Sequence, residues 1–225
     1  MKAVYLTGHG GNDVVAVGDR PMPERAAGQV LVRMHAATLN RVDLYMRNSG
    51  AGITHTLPQT MGLDGAGVIE ALDEGDHGLH IGQQVLVYPA VTCGICEFCQ
   101  SGEEVLCTRM RLLGEHRDGT LSEYISVPAR NLVPMPDGWR FEEAAALGVN
   151  HLTAWRMLVT QARLQAGETV LILGGMAAHQ QALHDHGATS WEGPCGAGAG
   201  AGAAAPPPAR RAAWPNSCSS SARTA

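Results

Sequence analysis

Aromatic residues are scarce in this chain, at 4 % of 225 residues, while glycine is abundant at 28. Hydrophobic residues still make up 45 %, which is ordinary for a soluble globular protein. A surplus of basic charge is also missing. Lys and Arg number 16 against 21 Asp and Glu, a formal net charge of -5. A nucleic-acid binder usually carries a basic face, so that class is excluded. The N-terminus has no basic segment followed by an apolar stretch, so no secretory signal is expected. No apolar run approaches the roughly 20 residues that cross a bilayer. These absences leave a cytoplasmic protein with no membrane partner. Thiols stay reduced in that compartment, so clustered cysteines there favour metal over disulfide. The length allows one large domain or two small ones.

Three compositional regions follow one another. Residues 1–140 read as β-rich. MKAVYL opens with a strand-like run, and QVLVRMHAATL alternates apolar and polar positions with period two. GAGVIEAL, QQVLVYPA and LSEYISVP are further short strands, separated by Gly, Pro, Asp and Asn turn signals as in a small barrel or sandwich. GAGVIE imitates a dinucleotide fingerprint, but it follows no strand–helix crossover. It reads as a barrel strand with close backbone packing.

Residues 141–175 change character. FEEAAAL predicts a short helix, with Glu142 and Glu143 in the first turn where the helix dipole favours them. HLTAWRMLVTQARL predicts a longer one, with Leu152, Trp155, Leu158, Val159 and Ala162 on one apolar face. GETVLILGG then reads as a buried strand ending in glycines, the usual start of an α/β nucleotide-binding unit. Residues 176–225 do not continue it. They degenerate into GAGAGAGAAAPPPARRAAWPNSCSSSARTA, a low-complexity tail too poor in apolar residues to offset its ordering entropy. The abrupt change is expected to reflect a shifted reading frame in a GC-rich gene.

Four of the chain's 6 cysteines lie in CGICEFCQSGEEVLC, residues 93–107. Cys93, Cys96 and Cys99 form two overlapping C-x-x-C units, and Cys107 returns after a short loop. C-x-x-C lets two thiolates converge from one tight turn, and zinc takes four such ligands in a tetrahedron. Four protein ligands leave no open position, so the ion would be structural. Two disulfides or four unrelated thiols are the alternatives. Cys195 and Cys218, in the tail, are incidental on this reading.

CGICEFCQSGEEVLC resembles the structural-zinc lobe of the medium-chain dehydrogenase/reductase superfamily, which holds the zinc-type alcohol dehydrogenases and the quinone oxidoreductases. MKAVYLTGHGGNDVVAVGDRPMPE, LNRVDLYMRNSG, MGLDGAGVIEAL, IGQQVLVYP, LLGEHRDGTLSEYISVPARNLVPMPDG and FEEAAALGVNHLTAWRML are similar to the family's strings in the same order, as far as about residue 175. The resemblance implies a mainly β GroES-like domain over 1–140, with a zinc lobe at 89–112. It also implies linker helices and the first strand of an α/β Rossmann domain over 141–175. The 176–225 tail lies beyond it, so the Rossmann domain would be left incomplete.

In the zinc alcohol dehydrogenases a second, catalytic zinc sits in the cleft. The resemblance puts its three ligands at Asn40, Leu63 and Val149. Leu and Val cannot bind zinc, an amide is a weak ligand, and Asp64 alone would not hold the metal. The family's proton relay falls at Val42 and Tyr45. Asn40 with Tyr45 resembles instead the zinc-free quinone oxidoreductase branch, where a Tyr hydroxyl or Asn amide can donate to a developing oxyanion. Asn40 and Tyr45 are therefore the candidate catalytic residues, the plainer readings being a loop-bonding residue and half-buried packing. Asp43 is expected to shape the loop. His116 is a lone loop histidine, and such residues are more often solvated than functional.

The cofactor implied by the resemblance is NAD(P). Gly174 matches the first glycine of G-x-G-x-x-G, but Met176 and His179 fall where the second and third belong. Bulk there blocks the pyrophosphate and the close helix–strand contact. Glu192 is a loose candidate for the acidic ribose ligand. The family's reaction is hydride transfer between NAD(P)H and a small alcohol, carbonyl, enone or quinone. This chain is expected to bind structural zinc, to lack a working cofactor site, and to lack the family's Rossmann-borne homo-oligomer interface. A non-catalytic, zinc-stabilised interaction module is the alternative.

Overall fold

The computed structural model describes residues 1–73 and 78–165, together with Glu168 and Val170. The chain divides into two compact units, Met1–Leu152 and Thr153–Ala225. The first is mainly β, as the alternating strings predict.

Among the described residues, ten short strands follow in order: β1 (Lys2–Leu6), β2 (Val15–Asp19), β3 (Gln29–Ala37), β4 (Gln59–Thr60), β5 (Gly65–Ala71), β6 (Gln84–Val87), β7 (Ala90–Val91), β8 (Arg111–Leu112), β9 (Tyr124–Pro128) and β10 (Leu132–Pro134). The main sheet has the order β10-β6-β5-β3-β9, every pair antiparallel. A smaller sheet, β2-β1-β4, is opened by the N-terminal hairpin. The pair β7-β8 frames the cysteine loop.

Period-two patterning decides what the main sheet buries. Val30 and Val32 of β3, Val85 and Val87 of β6, and Ile125 and Val127 of β9 point to one side. There they pack with Ile69, Val91, Leu113 and Leu132. Full burial of such a side chain contributes about 1.5–3 kcal/mol. The opposite side is covered by helix α3 (Phe141–Ala145), whose Ala144 and Ala145 meet Ala66 and Met135. Small residues there let the helix approach closely. Gly67 shows the same requirement, since a Cβ would strike the Arg33 carbonyl of β3. GAGVIE is thus a strand closely packed against its neighbour, as the sequence predicts.

Helix α1 (Arg41–Asn48) begins where β3 ends. Asn40 is its N-cap residue, in extended conformation, and the Asp43 carboxylate in the first turn accepts from the Asn40 N–H at 2.7 Å. A carboxylate three residues into a helix, bonded back to the cap, fixes the entry of the chain. Met46 on the inner face of α1 packs against Leu6 and Met61, docking the helix on the small sheet.

The second unit is described only at its start. Ala154 and Leu158 are buried with Met157, Leu164 and Val170 around them. Trp155, Val159 and Ala162 of the expected apolar face are exposed, as is Leu152 at the end of the first unit. Winding contributes at Val159 and Ala162. Arg156–Gln161 is a wide-turn π segment, and Ala162 N–H bonds the Met157 carbonyl, five residues back. A 3.6-residue stripe does not survive that winding. The expected strand TVLILGG falls, save for Val170, outside the described residues, as does all of 176–225. Among the described residues no helix is long and apolar enough to cross a membrane.

Candidate metal centre and cleft

Two clusters of chemistry-bearing side chains stand out in the first unit. One is the cysteine loop between β7 and β8. It contains a short helix, α2 (Glu97–Gln100), and a 3-10 turn at Glu104–Leu106. Its apolar side chains turn outward, with Ile95 67 % and Leu106 54 % exposed. The loop therefore has little core to hold its shape.

What converges instead is sulfur. The Sγ atoms of Cys93, Cys96, Cys99 and Cys107 all lie within 4.8 Å of one another. Cys96 and Cys99 are 3.5 Å apart, and Cys93 and Cys99 3.9 Å. A tetrahedron of Zn–S bonds has an S···S edge of about 3.8 Å. Backbone N–H groups turn toward the sulfurs as well. Hydrogen bonding from Ile95, then from Cys96, pulls the Cys93 thiol down to about 6. Bonds from the Cys93 and Arg109 N–H groups lower Cys107. Burial pushes Cys99 up to about 11. Four thiolates this close repel one another strongly, and a tetrahedral cation is what relieves that charge. The donor set fits zinc, and four protein donors fit a closed, structural site.

The second cluster lies where β3 ends and β5 begins. Its centre is Asp64, fully buried, and Asp64 is the residue that sequence reasoning undervalued. Its Oδ1 accepts from the Asn40 amide at 2.9 Å and from the Thr38 hydroxyl. Its Oδ2 accepts from the Val149 N–H at 2.7 Å. Its backbone carbonyl accepts from the Thr120 hydroxyl at 2.9 Å. Gly148 makes room for this, since a Cβ there would sit 2.6 Å from the Asp64 Cβ.

Two of the three positions matched to a catalytic metal, Asn40 and Val149, thus meet on one carboxylate. Leu63, the third, is a buried hydrocarbon. None offers a ligand. Asn40 turns its N–H₂ inward, Val149 contributes a backbone donor, and both Asp64 oxygens are occupied. These residues do not fit a zinc ion, and no step passes through one.

The expected catalytic pair is separately engaged. Asn40 also donates to Thr38 at 3.2 Å, and the half-exposed Tyr45 donates its hydroxyl to the Ala51 carbonyl. No hydrogen bond joins Asn40 to Tyr45. Asp43 shapes the loop: besides capping α1 it accepts from the Gly62 N–H at 2.9 Å. Burial raises its carboxyl above the ordinary range, while those two N–H bonds oppose the rise. Glu115, also buried, is raised by desolvation and by the charge of Asp43.

His116 is half-buried, and its Nδ1 accepts from the Leu112 N–H at 3.2 Å. That bond requires a lone pair on Nδ1. Burial lowers the imidazole further, so the 3.8 Å contact with Glu115 is no ion pair. Gly174, Met176, His179 and Glu192 lie outside the described residues.

Residues 26–137 match the family described as "Alcohol dehydrogenase GroES-like domain". An alcohol dehydrogenase of Geobacillus stearothermophilus is 36 % identical over 154 residues, 68 % of this chain and 45 % of that protein. A quinone oxidoreductase of Mus musculus is 29 % identical over 175 residues, 77 % of this chain and 45 % of that protein. The crystal structure of an NAD-dependent alcohol dehydrogenase superposes with a TM-score of 0.73 at 42 % identity, covering 77 % of this chain and 50 % of that one. The chain spans under half the length of these curated relatives.

Proposed function

This chain belongs to the medium-chain dehydrogenase/reductase superfamily, and on that premise we propose that it is a zinc-braced GroES-like domain whose cleft carries no catalytic metal. Zinc sits on Cys93, Cys96, Cys99 and Cys107 and replaces the missing core of its loop. The cleft belongs to the zinc-free branch of the superfamily. There a small carbonyl, enone or quinone accepts hydride from NAD(P)H without Lewis-acid help. Asn40 and Tyr45 are the hydrogen-bond donors nearest that role. Each would have to exchange a bond to Asp64 or Ala51 for one to substrate.

The observation that carries this reading is the Asp64 carboxylate. It gathers the Asn40 amide and the Val149 N–H into one buried network. Asn40 and Val149 are thereby turned toward Asp64 as donors, so neither presents a ligand atom to an ion.

This chain binds no NAD(P) and turns over no substrate on this reading, because Met176 and His179 stand at glycine positions of the fingerprint. Two measurements test it. Metal analysis of extensively dialysed protein is expected to give one zinc per chain, lost when Cys107 is replaced. A second retained zinc that disappears on replacing Asn40 would overturn the metal-free cleft. Calorimetric titration with NADH and NADPH is expected to show no binding at micromolar concentrations, and micromolar binding would overturn the absence of a cofactor site.

A further inference from the structure

His9 and His55 face each other across two loops, and their ring atoms are arranged as metal ligands are. His9 lies in the loop between β1 and β2, and His55 in the loop between α1 and β4. His9 Nδ1 is 2.8 Å from the Met46 carbonyl, and His55 Nδ1 is 2.7 Å from the Ile53 carbonyl. A carbonyl only accepts, so both Nδ1 atoms carry hydrogen. That leaves the two Nε2 atoms as lone pairs if both rings are neutral. They lie 2.9 Å apart, with the rings nearly perpendicular at 85°. Two lone pairs do not sit at that distance unaided. A cation between the two nitrogens relieves that contact.

A proton is the smallest occupant this geometry takes. An imidazole whose Nδ1–H is held by a backbone carbonyl, with Nε2 free and aimed at a common point, has the outer-shell support that metal-ligating histidines use. Metal–nitrogen bonds of about 2.0–2.1 Å at a tetrahedral angle put the two nitrogens roughly 3.3 Å apart. The pair needs to open by only a few tenths of an ångström. The space around it is shaped for the two rings. Gly50 is buried beneath them, and a Cβ there would come within 2.8 Å of the His55 ring and 3.1 Å of the His9 ring. His9 itself is exposed, so ions reach the pair directly from solvent.

We propose that His9 and His55 form a two-imidazole chelate for a divalent borderline transition ion (Zn²⁺, Ni²⁺ or Cu²⁺), separate from the cysteine centre. Imidazole is the side chain best suited to these three ions, and water completes the coordination. The consequence is mechanical: the ion ties the tip of the N-terminal hairpin to the loop that follows α1. The hairpin loop is already joined to the last turn of α1 by the Gly10 N–H bond to the Arg47 carbonyl.

The test uses the full chain, its cysteine site preloaded with one equivalent of zinc, titrated calorimetrically with Ni²⁺. Wild type is expected to show one site more than His9→Ala and than His55→Ala. The double variant should match either single one, because both ligands are required. Residual affinity at the pair should fall at least about 10-fold, since even losing an outer-shell partner of a ligand costs roughly 10–100-fold. Isotherms of the variants that overlay wild type, or a change in only one of them, would overturn the proposal. Retained zinc and an unchanged circular dichroism spectrum verify that the variants fold. A second readout needs no variant: Zn²⁺ added to zinc-loaded, ¹⁵N-histidine-labelled wild type should shift two Nε2 resonances together, and unshifted resonances would refute the chelate. A weak second zinc lost with His9→Ala belongs to this site, whereas one lost on replacing Asn40 bears on the cleft.

Discussion

Asp64→Asn is the substitution that tests the cleft most directly. The wild-type carboxylate accepts three hydrogen bonds: from Thr38 and Asn40 on Oδ1, and from Val149 on Oδ2. An asparagine of the same shape has one acceptor oxygen and one donor group. If its oxygen faces Thr38 and Asn40, its N–H₂ points at the Val149 N–H, which the wild type holds 2.7 Å from a carboxylate oxygen. If it is flipped, two donors are orphaned in place of one. The less costly orientation loses one charge-assisted bond, worth about 1.5–3 kcal/mol, and adds a donor–donor contact. Neutralising a buried carboxylate offsets part of this. The expected net loss is about 2–3 kcal/mol. With a urea m-value of roughly 1–3 kcal/mol/M, the midpoint should fall by about 1 M at unchanged m. Urea denaturation followed by circular dichroism measures it. Thr38→Val removes one donor and should cost less, about 1 kcal/mol. If Asp64→Asn lies within about 0.5 kcal/mol of wild type, the surface-like range, the carboxylate is not the acceptor that organises this cleft.

Three other outcomes follow from the same geometry. Cys107→Ser should remove zinc at neutral pH and destabilise the chain by several kcal/mol, a fraction of the roughly 10–16 kcal/mol structural zinc supplies; metal analysis and thermal melts check this, and full zinc retention would contradict the site. Glu115→Gln should raise stability at pH 7, because burial and Asp43 raise the folded carboxyl and its ionisation therefore costs stability as pH rises. That gain should shrink as pH falls through the raised folded value and vanish below about 4.3, the unperturbed value; denaturation at several pH values would refute it by showing a pH-independent difference. Gly119→Ala should cost about 1–3 kcal/mol or more, since its Cβ would meet the backbone carbonyls of Gly62 and Met61, while Gly28→Ala, with open space around it, should cost only its left-handed backbone penalty, about 1–2 kcal/mol; equal effects in urea melts would refute the clash.

Much of the β fold is legible in the residues because its signal is local. The alternation in QVLVRMHAATL places Val30 and Val32 on one side of β3, and the same period works in β6 and β9. The cysteine centre is legible for a related reason. Three of its ligands, Cys93, Cys96 and Cys99, lie within two overlapping C-x-x-C units, so their spacing nearly fixes their geometry. The helix after residue 150 is less so. Its apolar spacing assumes 3.6 residues per turn, and a π segment over Arg156–Gln161 breaks that count.

The cleft is a different case. Thr38, Asn40, Asp64 and Val149 meet from three separate stretches, with 85 residues between Asp64 and Val149. Family resemblance marks Asn40, Leu63 and Val149 as a set, and residue chemistry shows that two are hydrocarbons and one a weak ligand. Neither reveals that Asp64 gathers the Asn40 amide and the Val149 N–H. The His9–His55 pair was equally hidden, since 46 positions separate two histidines that carry no motif. The sequence by itself determined the strands, the four-cysteine lobe and the superfamily, because each is written in short-range spacing and side-chain type. Only the tertiary structure decided which buried donor meets which acceptor, because hydrogen bonds between distant segments depend on how the sheet closes.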